Sequence, residues 1–449
     1  MLAKSLRTTG RFKKPAPAGP LHLHPKTLSD LRKCLEPTSR TPLPIRPVGA
    51  GTAATDCNTT AVGSIVHMEG LDRIRRVDAD NGIVVVEAGI RVSTLVDTLA
   101  EDGLELCGGY ELQGRTVGGA IAAPCFGPTI GSSGSFFSSH VLSMRVITPA
   151  GKILNVDMTQ RKLLSAYRTS FGLLGVIYEV TLQVRPIRVF RASHRRVGIE
   201  KFASIVDTLV ASDIGFKFFL MPYRDRVYLD LRRYESHPGN TRSASWKLKD
   251  WGESTIMPQV FKSLNRMVPI DTVKYRLIDS ISEATQGLVN SRLVHAGSNS
   301  TSQSVSKHGR ARRYSTWCFP AANFSMVAVA YRDFCESLLK SSGYRCDLPA
   351  VGYRLAHDAS AVLSPCFDET MVALTTASTQ KKGWDDFVID LAEFAEKWGG
   401  IPLISQSRAV RAEYVIQTYS RRLDYFRRLR RELDPDNRLL SPFLAQFAQ

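Results

Sequence analysis

Between Pro47 and Ile177 the chain carries four glycine-rich segments, and they limit its fold more than any other feature. They are Pro47-Val48-Gly49-Ala50-Gly51-Thr52-Ala53, Gly114-Arg115-Thr116-Val117-Gly118-Gly119-Ala120-Ile121-Ala122, Gly131-Ser132-Ser133-Gly134-Ser135 and Phe171-Gly172-Leu173-Leu174-Gly175-Val176-Ile177. A glycine has no Cβ, so backbone N–H groups beside it can close on a phosphate or lie against a flat ring. One such loop means little. Four in succession, separated by strand-like apolar runs, imply a domain assembled around a large phosphorylated ligand. The competing reading, tight turns in a fold that binds nothing, does not account for their joint order.

A chain of 449 residues holds two or three domains with well-buried cores. Its net charge of +17 gathers in three places: Lys4 to Lys14, Lys307 to Arg313, and Arg421 to Arg431. Such a surface suits an anionic dinucleotide, an acidic substrate or a membrane surface, and equally a plain solvated face. No nucleic-acid partner is expected, because no aromatics interleave with these charges. Peripheral membrane contact through the basic segments stays open. No apolar run approaches the ~20 residues of a membrane-spanning helix. The eight cysteines form no CxxC pair, so no zinc site or small disulfide framework is expected and no metal is assigned. Without a secretory signal the expected location is the cytoplasm. The basic, acid-free N-terminus also fits a mitochondrial presequence, against which Pro15, Pro17 and Pro20 argue.

Residues 26–36 read as a short helix. Strands are expected at 45–48, 64–67, 82–89, 141–148 and 176–184, with a helix over 92–106. A second domain opens near Val189 with strands at 188–197, 216–221 and 226–232 and a helix at 203–212. Residues 298–306, rich in Ser, Asn and Thr, read as a mobile loop. Further strands are expected at 315–319, 351–357 and 371–376, the last two as a hairpin-like pair. Helices follow at 324–341, 383–398 and 414–433, the last stopped by Asp434-Pro435.

The order and spacing of the glycine segments resemble the FAD domain (FAD-binding PCMH-type) of the vanillyl-alcohol oxidase superfamily. The chain after residue 26 is similar to its aldonolactone and alditol oxidase branch, with a distant resemblance to decaprenylphosphoryl-ribose oxidase. The resemblance implies an α+β fold: a two-subdomain FAD-binding domain, then a substrate (cap) domain with a β-sheet flanked by helices. The expected division is 1–25 a flexible basic arm, 26–187 the FAD-binding domain, 188–410 the substrate domain, and 411–449 a C-terminal helix packing back on the FAD domain. The resemblance makes FAD the cofactor and assigns Val48, Gly49, Ala50, Gly51, Thr52 and Ala53 to its pyrophosphate. It places Gly114, Thr116, Val117, Gly118, Gly119 and Ala122 beneath the flavin. Ser133, Gly134, Ser135, Ser139 and His140 would line the cofactor. Gly172, Gly175, Val176 and Ile177 would meet the adenine end, and Asn437 lies in the terminal Asp-Pro turn.

Departures from that pattern shape the expected chemistry. Thr52 stands where many relatives bond the flavin through histidine, so the flavin is expected to be non-covalent. Cys125-Phe126-Gly127 replaces Thr-His-Gly. Gly352 replaces an acid two positions before Arg354, and Gln406 stands where a catalytic lysine is common. The implied reaction is oxidation of a CH–OH group of a sugar, polyol or lactone-like small molecule by hydride transfer to flavin N5, with O2 or an electron carrier as acceptor. It needs a group to take or stabilise the hydroxyl proton and positive charge near the flavin. Arg354 would supply the charge, and His140 or His357 the base. Tyr353 adjoins Arg354, but in a strand the two face opposite ways. Gln406 can hydrogen-bond substrate without acting as a base. Cys57 and Cys125 read as small packing residues. The alternative, motivated by Gly352, Phe126 and Gln406, is a non-oxidative or catalytically degenerate flavin-binding protein of the same fold.

Overall fold

The computed structural model describes residues 19–38, 40–108, 114–131, 134–235, 257–288, 293–297 and 312–449. Ser133, the serine-rich loop at 298–306 and the N-terminal basic run lie outside these residues.

Leu21–Leu23 (β1), Ile45–Val48 (β2) and Ser64–His67 (β3) form a small parallel sheet in the order β1-β3-β2. An arm reaching to residue 25 is therefore too long. Leu21 to Leu23 pair with Ser64 to Val66 and form the edge of this sheet. The helix Leu28–Leu35 starts at Thr27, whose hydroxyl accepts from the Asp30 amide while Asp30 accepts from the Thr27 amide, a reciprocal cap.

A second, antiparallel sheet uses Ile74–Asp78 (β4), Ile83–Glu87 (β5), Leu104–Leu106 (β6), Val141–Ile147 (β7), Ile153–Asp157 (β8) and Val176–Pro186 (β9), in the order β4-β5-β9-β7-β8 with β6 also on β9. The long β9 is central: it pairs with β5, β7 and β6, and its Val176, Tyr178, Val180, Leu182 and Val184 form one buried face. The helix expected over 92–106 ends at Glu101. Gly103, at φ +70°, turns the chain so that Leu104–Leu106 pairs with β9.

The third sheet is made of Val189–Val197 (β10), Gly215–Met221 (β11), Arg226–Tyr234 (β12), Leu293–Gly297 (β13), Arg313–Pro320 (β14), Ala350–Leu355 (β15), Met371–Ser378 (β16) and Ile401–Pro402 (β17). Its order is β13-β10-β12-β11-β15-β16-β14-β17, with every pair antiparallel. Helices Ile199–Ala211, Phe324–Ser342 and Trp384–Lys397 cover one face, burying Phe202, Phe218, Leu229, Tyr331 and Trp384 in one core. The other face meets the first domain, where Tyr353 and Leu355 cluster with Phe126 and Phe136. Strand alternation thus sends neighbouring residues to two different buried environments.

The helix Ala412–Leu433 then returns to the first domain. Its Tyr419, Leu423 and Phe426 share a core with Val86, Leu95 and Ile121. Ser420, at φ +42°, breaks the helical geometry inside it. Three of its arginines are occupied internally. Arg422 donates to Val362 O and Ser364 O, Arg427 to Phe447 O and Arg430 to the Asn437 side chain. Arg421, Arg428 and Arg431 remain exposed.

Candidate active site

Arg46 sits in β2 with its side chain wholly buried. Its guanidinium donates to Leu439 O (2.6 Å), Cys57 O (2.7 Å) and Phe171 O, tying the C-terminal turn, the loop after β2 and the segment before β9 to one point. Burial pulls its pKa down to about 10, so it still carries its charge at neutral pH. A cavity of about 800 Å³, counted to its open mouth, lies among the segments gathered there.

Three of the four glycine segments line it. Gly49, Ala50, Gly51, Thr52 and Ala53 form one wall, Thr116, Gly118, Gly119 and Ala122 a second, and Gly172, Gly175, Val176 and Ile177 a third. The first wall is strapped by the second domain. Tyr314 donates to Thr52 O at 2.7 Å, Ala54 N to Ser405 O at 2.9 Å and Thr55 to Ile404 O at 2.8 Å. The first two walls nearly touch: a Cβ on Gly49 would lie 2.0 Å from Thr116 Oγ1. That hydroxyl caps the short helix Val117–Ala122 by accepting from Gly119 N. Cys57 also lines the cavity, with its thiol pKa raised by burial, which leaves it a packing residue.

The remaining sequence candidates lie elsewhere. Val48, Gly114, Val117, Gly134, Ser135, Ser139, His140 and Asn437 do not line this cavity. Val117 belongs to the core, and Gly114 O accepts from Arg91. Ser135 Oγ accepts from Ala356 N at 2.7 Å, joining the first domain to the end of β15. Ser139 bonds Asp358. His140 packs against Gly108 and Gly134, with Nε2 3.2 Å from Gly134 O, and burial lowers its pKa. Asn437, in a turn at φ +54°, holds Arg430. His357 is exposed.

Tyr353 and Arg354 do face opposite ways. Tyr353 meets Phe126 edge-on at 5.6 Å on the interdomain face. Arg354 lies on the helix-covered side, donating to Val210 O (2.7 Å) and Gly131 O (2.8 Å), where it clamps the end of the helix Ile199–Ala211 to the first domain. Gly352 is on the same side as Arg354, with no room for a side chain: a Cβ there would lie 1.9 Å from the Phe218 ring. Gln406 is buried between the domains. It donates to Pro124 O at 3.1 Å and accepts from Thr316 at 3.1 Å, while Arg115 also donates to Pro124 O at 2.8 Å.

Arg46 was not singled out from sequence, and Arg115, Phe171 and Ser405 stood in motif segments without being assigned to the site. Arg46, Arg115, Phe171 and Ser405 shape the cavity, and the Ser405 hydroxyl is buried without a hydrogen-bond partner among the described residues. The interdomain face of the third sheet also carries a buried charged row. His194 is in register with Asp230, Asp230 with Lys217, and Lys217 with Tyr353. Asp230 receives Arg232 Nη2 at 2.7 Å and lies 3.8 Å from His194 Nε2. Lys217 Nζ stands 5.6 Å from the centroid of the Tyr353 ring and 4.8 Å from that of Phe219.

Comparison with known proteins bears on this geometry. A family model for an FAD binding domain matches residues 20–157, and one for D-arabinono-1,4-lactone oxidase matches residues 180–447. An L-gulono-1,4-lactone dehydrogenase of Mycobacterium tuberculosis is 29% identical over 235 residues, 50% of this chain and 54% of that protein, so the match spans about half the length of this relative. A mitochondrial L-galactono-1,4-lactone dehydrogenase of Arabidopsis thaliana is 24% identical across 93% of this chain and 77% of its own. Cholesterol oxidase of Brevibacterium sterolicum shares the fold, with a TM-score of 0.76 and 14% identity over 95% of this chain and 94% of that one. FAD fits the cavity: Gly51, which lines it at φ +64°, faces open space where a Cβ would meet nothing within 4 Å, and the Ser405 hydroxyl in the same lining is buried without a hydrogen-bond partner among the described residues.

Proposed function

Because the chain belongs to the D-arabinono-1,4-lactone oxidase family and carries an FAD-binding domain, we propose that it is an FAD-dependent oxidoreductase acting on a CH–OH group of an aldonolactone or a related sugar-derived alcohol. The observation that carries this reading is the cavity where three glycine walls meet under straps from the second domain.

Bound FAD supplies the acceptor for the hydride that leaves the carbinol carbon. The first wall, Gly49 to Ala53, would hold the pyrophosphate with backbone amides, and Gly172 to Ile177 the adenine end. Thr52 offers no imidazole for a covalent link, so the flavin is held by these contacts alone. Ala122 and Ala123 line the cavity, and the chain then passes Pro124, pinned by Gln406 and Arg115, to reach Phe126 on Tyr353. Gln406 is a positioning residue in this reading: its amide registers the two domains by holding Pro124 O and Thr316 together. Arg354 clamps the domains from the far side of the sheet. The aromatic contact of Phe126, Phe136 and Tyr353 excludes water from that junction. The degenerate-flavoprotein alternative finds no support in the relatives named above, which are oxidases and dehydrogenases by name.

The eight cysteines are free thiols, which suits a reducing cytoplasm. The named plant relative is mitochondrial. Among the described residues no helix is long and apolar enough to cross a membrane. Membrane contact in this reading is peripheral, through the exposed arginines of the last long helix. The test is a panel of L-gulono-, L-galactono- and D-arabinono-1,4-lactone given to the FAD-loaded protein, with oxygen uptake and dye reduction followed in parallel. Turnover of at least one lactone is expected, and the two readouts separate O2 from an electron carrier as acceptor. No oxygen uptake and no dye reduction with any member would count against the proposal.

A further inference from the structure

We propose that the row His194–Asp230–Lys217–Tyr353 is the subsite for the reacting oxygen of the substrate, with Lys217 contacting that oxygen. This rests on the oxidoreductase reading above. Four side chains that can ionise stand in cross-strand register on β10, β12, β11 and β15, all on the face turned toward the first domain. Lys217 is 4% exposed and Asp230 1%, at a place where a solvated ion pair would gain little and a buried one is costly. Groups buried at such expense cluster where chemistry uses them.

The motif positions leave this face without charge of their own. Gly352 has no room for an acid, Gln406 is neutral and Arg354 points into the helix layer. The row supplies what is missing. Tyr353 marks its border with Phe126, the end of the segment that leads from the FAD cavity. Next to it, the Lys217 ammonium donates a hydrogen bond to the substrate hydroxyl oxygen and stabilises its developing negative charge. The C–H and O–H bonds break and a C=O bond forms. The hydrogen and its electron pair leave as hydride to FAD, and the hydroxyl proton passes by way of Asp230 to His194. Arg232, bonded to Asp230 through Nε and Nη2, holds that carboxylate in place.

The experiment uses FAD-loaded parent protein and the variants Lys217→Met, Lys217→Gln and Lys217→Arg. Three quantities are read: FAD affinity, the anaerobic rate of flavin reduction by L-gulono- or L-galactono-1,4-lactone, and the affinity for sulfite from bleaching of the visible flavin band. Sulfite is an anion that attacks the ring, so it senses a nearby positive charge without needing the substrate. Met and Gln variants should keep FAD, lose about 10²-fold in reduction rate and bind sulfite about tenfold more weakly. Lys217→Arg should restore sulfite binding. If Lys217→Met does not fold, the Gln variant carries the same prediction. Met and Gln variants that keep FAD and match the parent in reduction and sulfite binding overturn the assignment. So does loss of FAD in all three, which would make Lys217 structural. A parent that holds FAD but is reduced by neither lactone removes the lactone reading, while the sulfite comparison still decides Lys217. A parent that takes up no FAD removes both.

Discussion

Replacing Gly49 by alanine should damage the cofactor cradle through a single contact. The added Cβ would lie 2.0 Å from Thr116 Oγ1 and 3.0 Å from both Thr116 Cβ and Cγ2. Thr116 is buried, so it has to rotate or push the short helix Val117–Ala122 away. Rotation withdraws the hydroxyl that caps Gly119 N, which costs about 1 kcal/mol. Overpacking adds about 1–3 kcal/mol. Both costs fall on residues that line the cavity, so most of the resulting ~2–4 kcal/mol should appear as lost FAD affinity, about 30- to 900-fold. Titration of apoprotein with FAD, followed by quenching of flavin fluorescence, reads this directly. Adding Thr116→Ala removes Oγ1 and Cγ2 and should recover part of the loss. A Gly49→Ala protein that binds FAD as tightly as its parent would mean that the two glycine walls do not hold the cofactor between them.

Three further predictions follow from buried polar groups. Arg46→Met leaves the carbonyls of Leu439, Cys57 and Phe171 without their donor. At about 1–3 kcal/mol for each unmet group, this removes a large part of the ~5–15 kcal/mol of a typical domain, and urea unfolding should show a sharply lowered midpoint. Gln406→Glu sets a carboxylate against Pro124 O in place of a donor and should cost about 1–3 kcal/mol. Gln406→Ala should cost less in the same assay, because Arg115 still serves Pro124 O and Thr375 still serves Thr316. His140 is held neutral by burial, its pKa below the usual imidazole value of 6.5. The unfolded chain therefore takes up a proton first as pH falls through that value, and stability is lost from there down to the folded pKa. Melting temperature against pH should show this slope, and His140→Gln should reduce it, leaving the share that comes from His67, whose pKa burial also lowers.

The cradle was legible in sequence because a glycine's freedom is a local property. Gly49, Gly118 and Gly172 announce close approaches wherever the rest of the chain goes. Strand positions such as 83–87 and 176–184 were legible for the same kind of reason, from runs rich in β-branched residues. The buried charged row of the third sheet was not. Alternating Leu229-Asp230-Leu231-Arg232 looks like a strand with one wet face, and nothing local says that the polar face is covered by another domain. Arg354 stands in a recognisable motif, yet the direction of its side chain is set by Phe218 filling the space beside Gly352 and by acceptors at Val210 and Gly131. Arg46 lies between Ile45 and Pro47 in an ordinary strand, and two of its acceptors, the carbonyls of Phe171 and Leu439, come from residues far along the chain. Leu21–Leu23 form a strand only because Ser64–Val66 present an open edge to them.

This protein is expected to bind FAD without a covalent bond and to reduce it with a lactone. The most direct test is the visible absorbance spectrum of the FAD-loaded protein, taken before and after anaerobic addition of the lactone panel, with a final acid precipitation. Flavin bands that bleach with at least one lactone are expected, with colour that passes into the acid supernatant. Bands that never form with added FAD, or that stay oxidised with every lactone, would contradict it.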